Sequence, residues 1–229
     1  MRHTLFWQGG VGEGAVGDKG QAMAQVQLVI FDCDGVMFDS RGANEAYYNH
    51  ILIHFKKPPM NREQADYVHM HTADQSVAYL FRDDPRVEQA LAYRHEISYH
   101  PFIPAMRMEP YLMAFLEYLR PQHKTAISTN RSDTMHRVLL EHGLEGYFDL
   151  VVSSLDVKRP KPDPESLLKI LGHFDLAPHE AICIGDSKID ELAARAARIP
   201  LVAYKNSRLS AAFAVEHFKE IEMLLEKEA

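Results

Sequence analysis

Only two cysteines, Cys33 and Cys183, occur in the 229 residues, and they lie far apart in apolar runs. That excludes a disulfide framework, and a reducing cytoplasm is the expected setting. No apolar run is long enough to span a bilayer. The opening stretch, MRHTLFWQGGVGEGAVGDKGQ, is broken by glycines and charges where a signal peptide needs an unbroken apolar segment. An excess of positive charge is missing too: 25 Lys and Arg stand against 32 Asp and Glu, for a formal charge of -7, and the basic residues are scattered. Broad nucleic-acid binding is thereby excluded, while a local positive pocket for a small anion is not. Internal repeats and low-complexity segments are absent as well, and nothing in the pattern bears on oligomeric state.

What is present is ample core material. Hydrophobic residues make up 46% of the chain, which rules out wholesale disorder and allows one large domain or a core with an insert. Residues 1–24 read as a flexible N-terminal extension. A start at Met23 fits equally well, because the first strand follows at once.

Five short runs, β-branched and without polar alternation, read as strands buried on both faces: Gln27–Phe31, Thr125–Ser128, Leu150–Ser153, Ala181–Ile184 and Leu201–Ala203. Helical patterns separate the later ones: PYLMAFLEYL opening at Pro110, Ser132–His142 stopped by Gly143, Pro164–Leu171 and Lys188–Ala197. Strand and helix in alternation predict an α/β fold, a doubly wound parallel sheet whose ligands bind beyond the carboxyl ends of the strands. One stretch breaks the alternation. Between the first two strands, residues 42–105 carry four helical patterns, Ala43–Phe55, Arg62–His71, Gln75–Phe81 and Arg86–Tyr99, punctuated by prolines. This is too long for a crossover and reads as an inserted helical domain, with residues 25–41 and 106–229 forming the core domain.

Four polar clusters fall at or just after the predicted strand ends. FDCDGVMFDS follows the first strand, and in extended chain Asp32 and Asp34 point the same way. Two adjacent carboxylates repel unless a divalent cation neutralises them, and Mg²⁺ favours such oxygen ligands. A solvated acidic loop is the competing reading. Thr129 and Asn130 end the TAIS strand, where a hydroxyl and free N–H groups can hold a phosphoryl oxygen or cap a helix. Lys161 lies in KRPKPDPES, where Pro160, Pro162 and Pro164 leave the backbone little freedom to move it. An exposed lysine is the alternative there, and Lys158 and Arg159 read as surface. GDSKID follows the AICI strand; Asp186 at the strand end can complete a metal's ligands, and Asp190 lies one helical turn on. Both can equally serve the start of the next helix. Thirteen histidines, among them His69, His71, His95 and His100 in the insert, form no zinc-like spacing. Arg82, Arg94 and His71 can touch a substrate's distal anion, with nothing to choose between them. Cys33 points away from its flanking aspartates, into the core.

The order DxDGVxFDS, hydrophobic-STN, KPDPE and GDSxxD resembles the haloacid dehalogenase superfamily, most closely its phosphoglycolate phosphatase-like branch with a helical cap. The resemblance covers residues 26–205. It implies a Rossmann-like core and a cap that closes over the site and selects the substrate. It also implies a Mg²⁺-dependent phosphatase acting on a small phosphorylated metabolite. Asp32 would be the nucleophile that becomes an aspartyl-phosphate, and Asp34 the general acid and base. Thr129, Asn130 and Lys161 would bind phosphate. Asp32, Asp186 and the backbone carbonyl of Asp34 would hold the metal, with Asp190 supporting it or Lys161 from behind. Arg41 stands where acidic residues are frequent in the family. Three other functions remain open: a phosphomutase resembling β-phosphoglucomutase on a sugar phosphate, a dehalogenase, and a phospho-accepting or binding protein without turnover.

Overall fold

A computed structural model describes residues 26–226. The extension expected over residues 1–24 lies outside them. Eight strands are present among the described residues: β1 Leu28–Phe31, β2 Phe38–Asp39, β3 Arg107–Met108, β4 Lys124–Ser128, β5 Leu150–Val152, β6 Ala181–Gly185, β7 Leu201–Tyr204 and β8 Phe213–Val215. Six form one sheet in the order β5-β4-β1-β6-β7-β8, every neighbouring pair parallel. The doubly wound sheet is therefore as expected from the alternation.

Strand parity explains the layers. Leu28 and Ile30 point to one face, with Ala126 and Cys183, and meet Leu167, Ile170 and Leu171 of one helix and Ala193, Ala194 and Ala197 of another. Those helices are Glu165–Phe174 and Lys188–Ala197. Val29 and Phe31 point to the other face, onto Phe115 and Phe218 of helices Leu112–Leu119 and Phe218–Glu226. Phe31 anchors that side, edge-on to Phe115 and Phe148 at 5.9 and 5.7 Å. Truncating such a fully buried ring costs about 3–5 kcal/mol.

Several elements differ from expectation. The helix read from Pro110 begins at Leu112, because Tyr111 adopts a left-handed conformation (φ 69°) that cannot belong to a helix. The one read over Ser132–His142 is shorter, Met135–Glu141, and Arg86–Tyr99 becomes Val87–Glu96 followed by a 3₁₀ turn, His100–Ala105. Strand β8, the closing helix Phe218–Glu226 and the two-residue ribbon β2–β3 have no counterpart in the sequence reading.

Between β2 and β3 the chain is helical: Arg41–His54, Arg62–Met70, Ala73–Leu80 and Val87–Glu96. Two starts are set by reciprocal side-chain caps, Asn61 with Gln64 and Thr72 with Gln75. Their inward faces meet on Tyr47, Ile51, Phe55, Val77 and Phe81, with Phe55 edge-on to Phe81 at 5.1 Å. Ribbon β2–β3 is antiparallel, pairing Phe38 with Met108 and Asp39 with Arg107, so the helical segment leaves and returns at one place beside β1. Among the described residues no helix is long and apolar enough to cross a membrane.

Candidate active site

Parallel pairing puts the strand ends abreast. Phe31 lies level with Ile127 of β4 and Ile184 of β6, so Asp32, Thr129 and Asp186 each emerge one or two residues later on the same edge. The Asp32 amide still donates to the Ile184 carbonyl at 3.0 Å, which fixes where its side chain begins.

Lys161 is the hub. It is buried, and its ammonium donates to Asp32 Oδ1 and Asp190 Oδ1, both at 2.6 Å, and to the Ser128 carbonyl at 2.9 Å. Burial alone would lower its pKa, but Asp190 and Asp32 outweigh that and hold it above the ordinary lysine range. Its loop, which contains a cis Lys161–Pro162 bond, is fastened by Asn130, whose side-chain amide donates to the Lys161 carbonyl at 2.9 Å and to Met70 of the helical segment at 3.1 Å. Asn130 thus sits at the expected place with its amide committed elsewhere. Thr129 caps no helix, since the next begins only at Met135; its hydroxyl accepts the Arg131 amide at 3.1 Å. Lys158 and Arg159 are exposed, as expected.

Asp32, Asp186 and Asp190 each offer a ligand atom within 4.8 Å of the others, and no histidine joins that group. Ser187, not Asp186, caps the following helix, in a reciprocal pair with Asp190. The approach is close enough to dictate two glycines. A Cβ on Gly185 would overlap the Asp190 side chain, and one on Gly35 would overlap the Asp186 carboxylate. Gly35 also turns at φ +81°, a conformation costly for other residues.

Asp34 takes a different path. After Asp32 the chain leaves the extended form: Met37 and Phe38 amides both turn back to the Cys33 carbonyl. Cys33 packs into the apolar core, while the Asp34 carboxylate faces Arg131. Arg131 grips it through Nε to Oδ2 (2.7 Å) and Nη2 to Oδ1 (2.6 Å), and Ser40 and Asn44 donate as well. Burial pushes the Asp34 carboxyl up, but Arg131, His69 and Ser40 together leave it below the usual carboxylate range. The chain between Asp32 and Asp34 turns rather than staying extended, yet Asp34 lines the same cavity as Asp32 and its charge helps raise the Asp32 carboxyl. Arg131, Ser40 and Asn44 were missed from sequence; the one signal for Arg131 was a cation directly after Thr129-Asn130 at a strand end.

The charge balance tests for a cation. Asp32, Asp34, Asp186 and Asp190 are four carboxylates; Lys161 and Arg131 are the two buried cations paired with them, leaving two negative charges in surplus. Burial, opposed by Lys161 and aided by Asp190 and Asp34, pushes Asp32 up to about 7. Burial, with Asp190 and Asp32, pushes Asp186 well above the carboxylate range, and among the described residues no donor reaches its carboxylate. An all-oxygen set carrying this surplus fits a hard divalent cation.

Over the site lies a cavity of about 190 Å³, lined from the sheet side by Asp32, Asp34, Arg131 and Lys161 and from the helical segment by His69, His71, Arg94 and His95. A parallel α/β sheet with a carboxylate–lysine cluster at its carboxyl edge, under a helical insert, defines a class of capped hydrolases. The chain belongs to the haloacid dehalogenase-like hydrolase family, whose sequence profile matches residues 29–204. It is a hydrolase of that superfamily, with the α/β core expected from the resemblance. It is similar to a solved hydrolase of the superfamily, subfamily IA, variant 1, from Geobacter sulfurreducens: 40% identical, TM-score 0.73, covering 88% of this chain and 97% of that one. It is 27% identical to a phosphoglycolate phosphatase of Pseudomonas putida over 77% of this chain and 68% of that protein. It is 25% identical to pyrophosphatase PpaX of Bacillus velezensis over 75% of this chain and 79% of that protein.

Proposed function

We propose that the chain is a Mg²⁺-dependent phosphatase that hydrolyses a small phosphorylated metabolite through an aspartyl-phosphate on Asp32. Residues 25–41 and 106–229 act as the core domain and residues 42–105 as the cap. The observation that carries this reading is the placement of Lys161 2.6 Å from Asp32 while Asp186 lies beside them without a donor. One carboxylate is held for attack, and one is left for a cation.

Asp32, Asp186 and the Asp34 backbone carbonyl would hold Mg²⁺, and Asp190 keeps Lys161 in place from behind. When bound, such an ion would supply charge neutralisation for the transferring phosphoryl group. The Asp32 carboxylate attacks phosphorus, and the bond to the ester oxygen breaks. Asp34 delivers a proton to that oxygen and then takes one from the water that cleaves the aspartyl-phosphate. Thr129 and Lys161 hold the phosphoryl group, and Asn130 aligns the Lys161 loop and offers its main-chain N–H. For the acid step Asp34 must loosen from Arg131, since that pairing keeps it ionised. Closure of the helical segment excludes water from competing reactions.

The test is phosphate release from p-nitrophenyl phosphate with and without Mg²⁺, by the wild type and Asp32→Asn. Loss of release in the variant and in EDTA is expected. Turnover near the wild-type level in either case contradicts the reading.

A further inference from the structure

Asp186 depends on its main chain for its placement. Its carboxylate meets no donor among the described residues. It is also the first residue past the ladders of β6, whose last rungs pair Ile184 with Phe31 of β1 and Gly185 with Ala203 of β7. The helix that follows does not hold it either, since its first bond runs from the Glu191 amide to the Ser187 carbonyl. One side chain closes the gap. Asn206, two residues past the end of β7, donates from Nδ2 to the Asp186 carbonyl at 2.7 Å, and its Oδ1 accepts the Arg208 amide at 3.4 Å. The backbone is bent to aim that amide. Lys205, between β7 and Asn206, sits at φ 53°, a left-handed conformation costly for a residue with a Cβ. It is held there from two sides: its amide donates to the Val215 carbonyl of β8 at 2.8 Å, and its ammonium meets buried Glu109 at 2.6 Å. The Tyr204 hydroxyl donates to the same Glu109 oxygen at 3.2 Å. A strained residue so heavily constrained marks a place where the chain's direction matters.

We propose that Asn206 is a positioning residue for the cation site: by holding the Asp186 peptide group, it sets the direction of the Asp186 carboxylate. This rests on the Mg²⁺ site proposed above and extends it to a residue that does not line the cavity. The other acids of the site have side-chain partners of their own, Asp32 and Asp190 in Lys161 and Asp34 in Arg131. Asp186 has none, so its aim is carried by the backbone that Asn206 fixes. Released from Asn206, the Asp186–Ser187 peptide group is free to turn, and the carboxylate turns with it. Losing such a partner behind a metal ligand typically weakens binding of the ion by about 10- to 100-fold.

The experiment titrates Mg²⁺ alone into the full chain by isothermal calorimetry, without substrate, and records thermal melts in EDTA alongside. Wild type is compared with Asn206→Ala, Asn206→Ser and Asn206→Gln. Serine keeps a hydroxyl for the Arg208 amide but is too short to reach Asp186, so it carries the comparison if the alanine variant does not fold. Both should raise the Mg²⁺ Kd by about tenfold or more, and glutamine, which keeps the amide, should recover part of the loss. With p-nitrophenyl phosphate, the half-saturating Mg²⁺ concentration should rise by the same factor while KM at saturating Mg²⁺ stays as in the wild type. An unchanged Kd in a folded alanine or serine variant, with or without a lowered Tm in EDTA, overturns the proposal and makes Asn206 a fastener of its own loop. A wild type that binds no Mg²⁺ overturns it together with the cation site. A wild type that binds Mg²⁺ but releases no phosphate from any ester overturns the phosphatase reading, and the Kd comparison still decides the role of Asn206.

Discussion

Removing the Lys161 ammonium while keeping its length, as in Lys161→Met, tests whether the site is an electrostatic assembly. In the wild type the ammonium meets Asp32 Oδ1 and Asp190 Oδ1 at 2.6 Å each, in a place with almost no exposure. Taking one partner out of a buried ion pair costs about 3–5 kcal/mol, and at about 2–4 °C per kcal/mol for a domain of this size Tm should fall by about 6–20 °C at pH 8. The loss must depend on pH, and its sign is set. Burial already raises Asp32 to about 7 in the folded state against an unfolded value near 3.8, with Lys161 as the main force pulling it down. Without the lysine the folded-state pKa rises further. A group with a raised folded pKa favours the fold below its unfolded pKa and loses that advantage as pH climbs through the folded one. For each carboxyl that stays protonated in the fold, the slope is about 1.4 kcal/mol per pH unit. The variant should therefore approach wild-type stability near pH 5 and fall away toward pH 8. Thermal melts by circular dichroism, in EDTA, at half-unit pH steps measure this directly. A deficit of equal size at pH 5 and pH 8 would refute the argument, because the lysine's role would then be packing rather than charge.

Other perturbations of the same cluster have set directions. Mg²⁺ should raise Tm, and more at pH 8 than at pH 6, because protons on Asp32 and Asp186 compete with the ion; calorimetric scans with 5 mM Mg²⁺ at both pH values check this, and a larger shift at pH 6 counts against these ligands. Asp32→Asn should abolish aryl phosphate hydrolysis yet leave Tm unchanged or higher in EDTA, since it removes a buried charge from a site with surplus negative charge. Arg131→Met should cost about 3–5 kcal/mol by stranding Asp34, and Arg131→Met with Asp34→Asn should recover part of that loss; urea unfolding of both decides, and purely additive losses argue against the pair. Gly185→Ala should lower Tm by pushing Asp190 away from the Lys161 ammonium, which thermal melts would register, and an unchanged Tm argues against that close approach.

How much was legible beforehand depended on how local the cause was. β1, β4, β5, β6 and β7 were readable because both faces of each are covered, which leaves an apolar run with no alternation. β8 was not: Phe213–Val215 is three residues long and takes its place by pairing with β7. The ribbon β2–β3 joins two-residue pieces nearly seventy positions apart, and no pattern in either piece announces the other. Within the site, Asp32, Thr129, Lys161 and Asp186 could be nominated because topology alone sends the ends of parallel strands to one edge.

Chain pattern, then, was enough for the architecture, the family and the residues to suspect, since periodicity, proline placement and strand-end polarity are properties of neighbours in sequence. The partnership of each charged group was settled only in three dimensions. Asp34 faces the same cavity as Asp32, but the group that grips its carboxylate is Arg131, ninety-seven positions away. Asn130 ties the Lys161 loop to the helical segment, and Arg94 of that segment reaches Ser132 beyond β4. Charge pairing acts through space over a few ångströms, so it depends on which surfaces the packed elements bring together, and a linear order of residues carries no record of that.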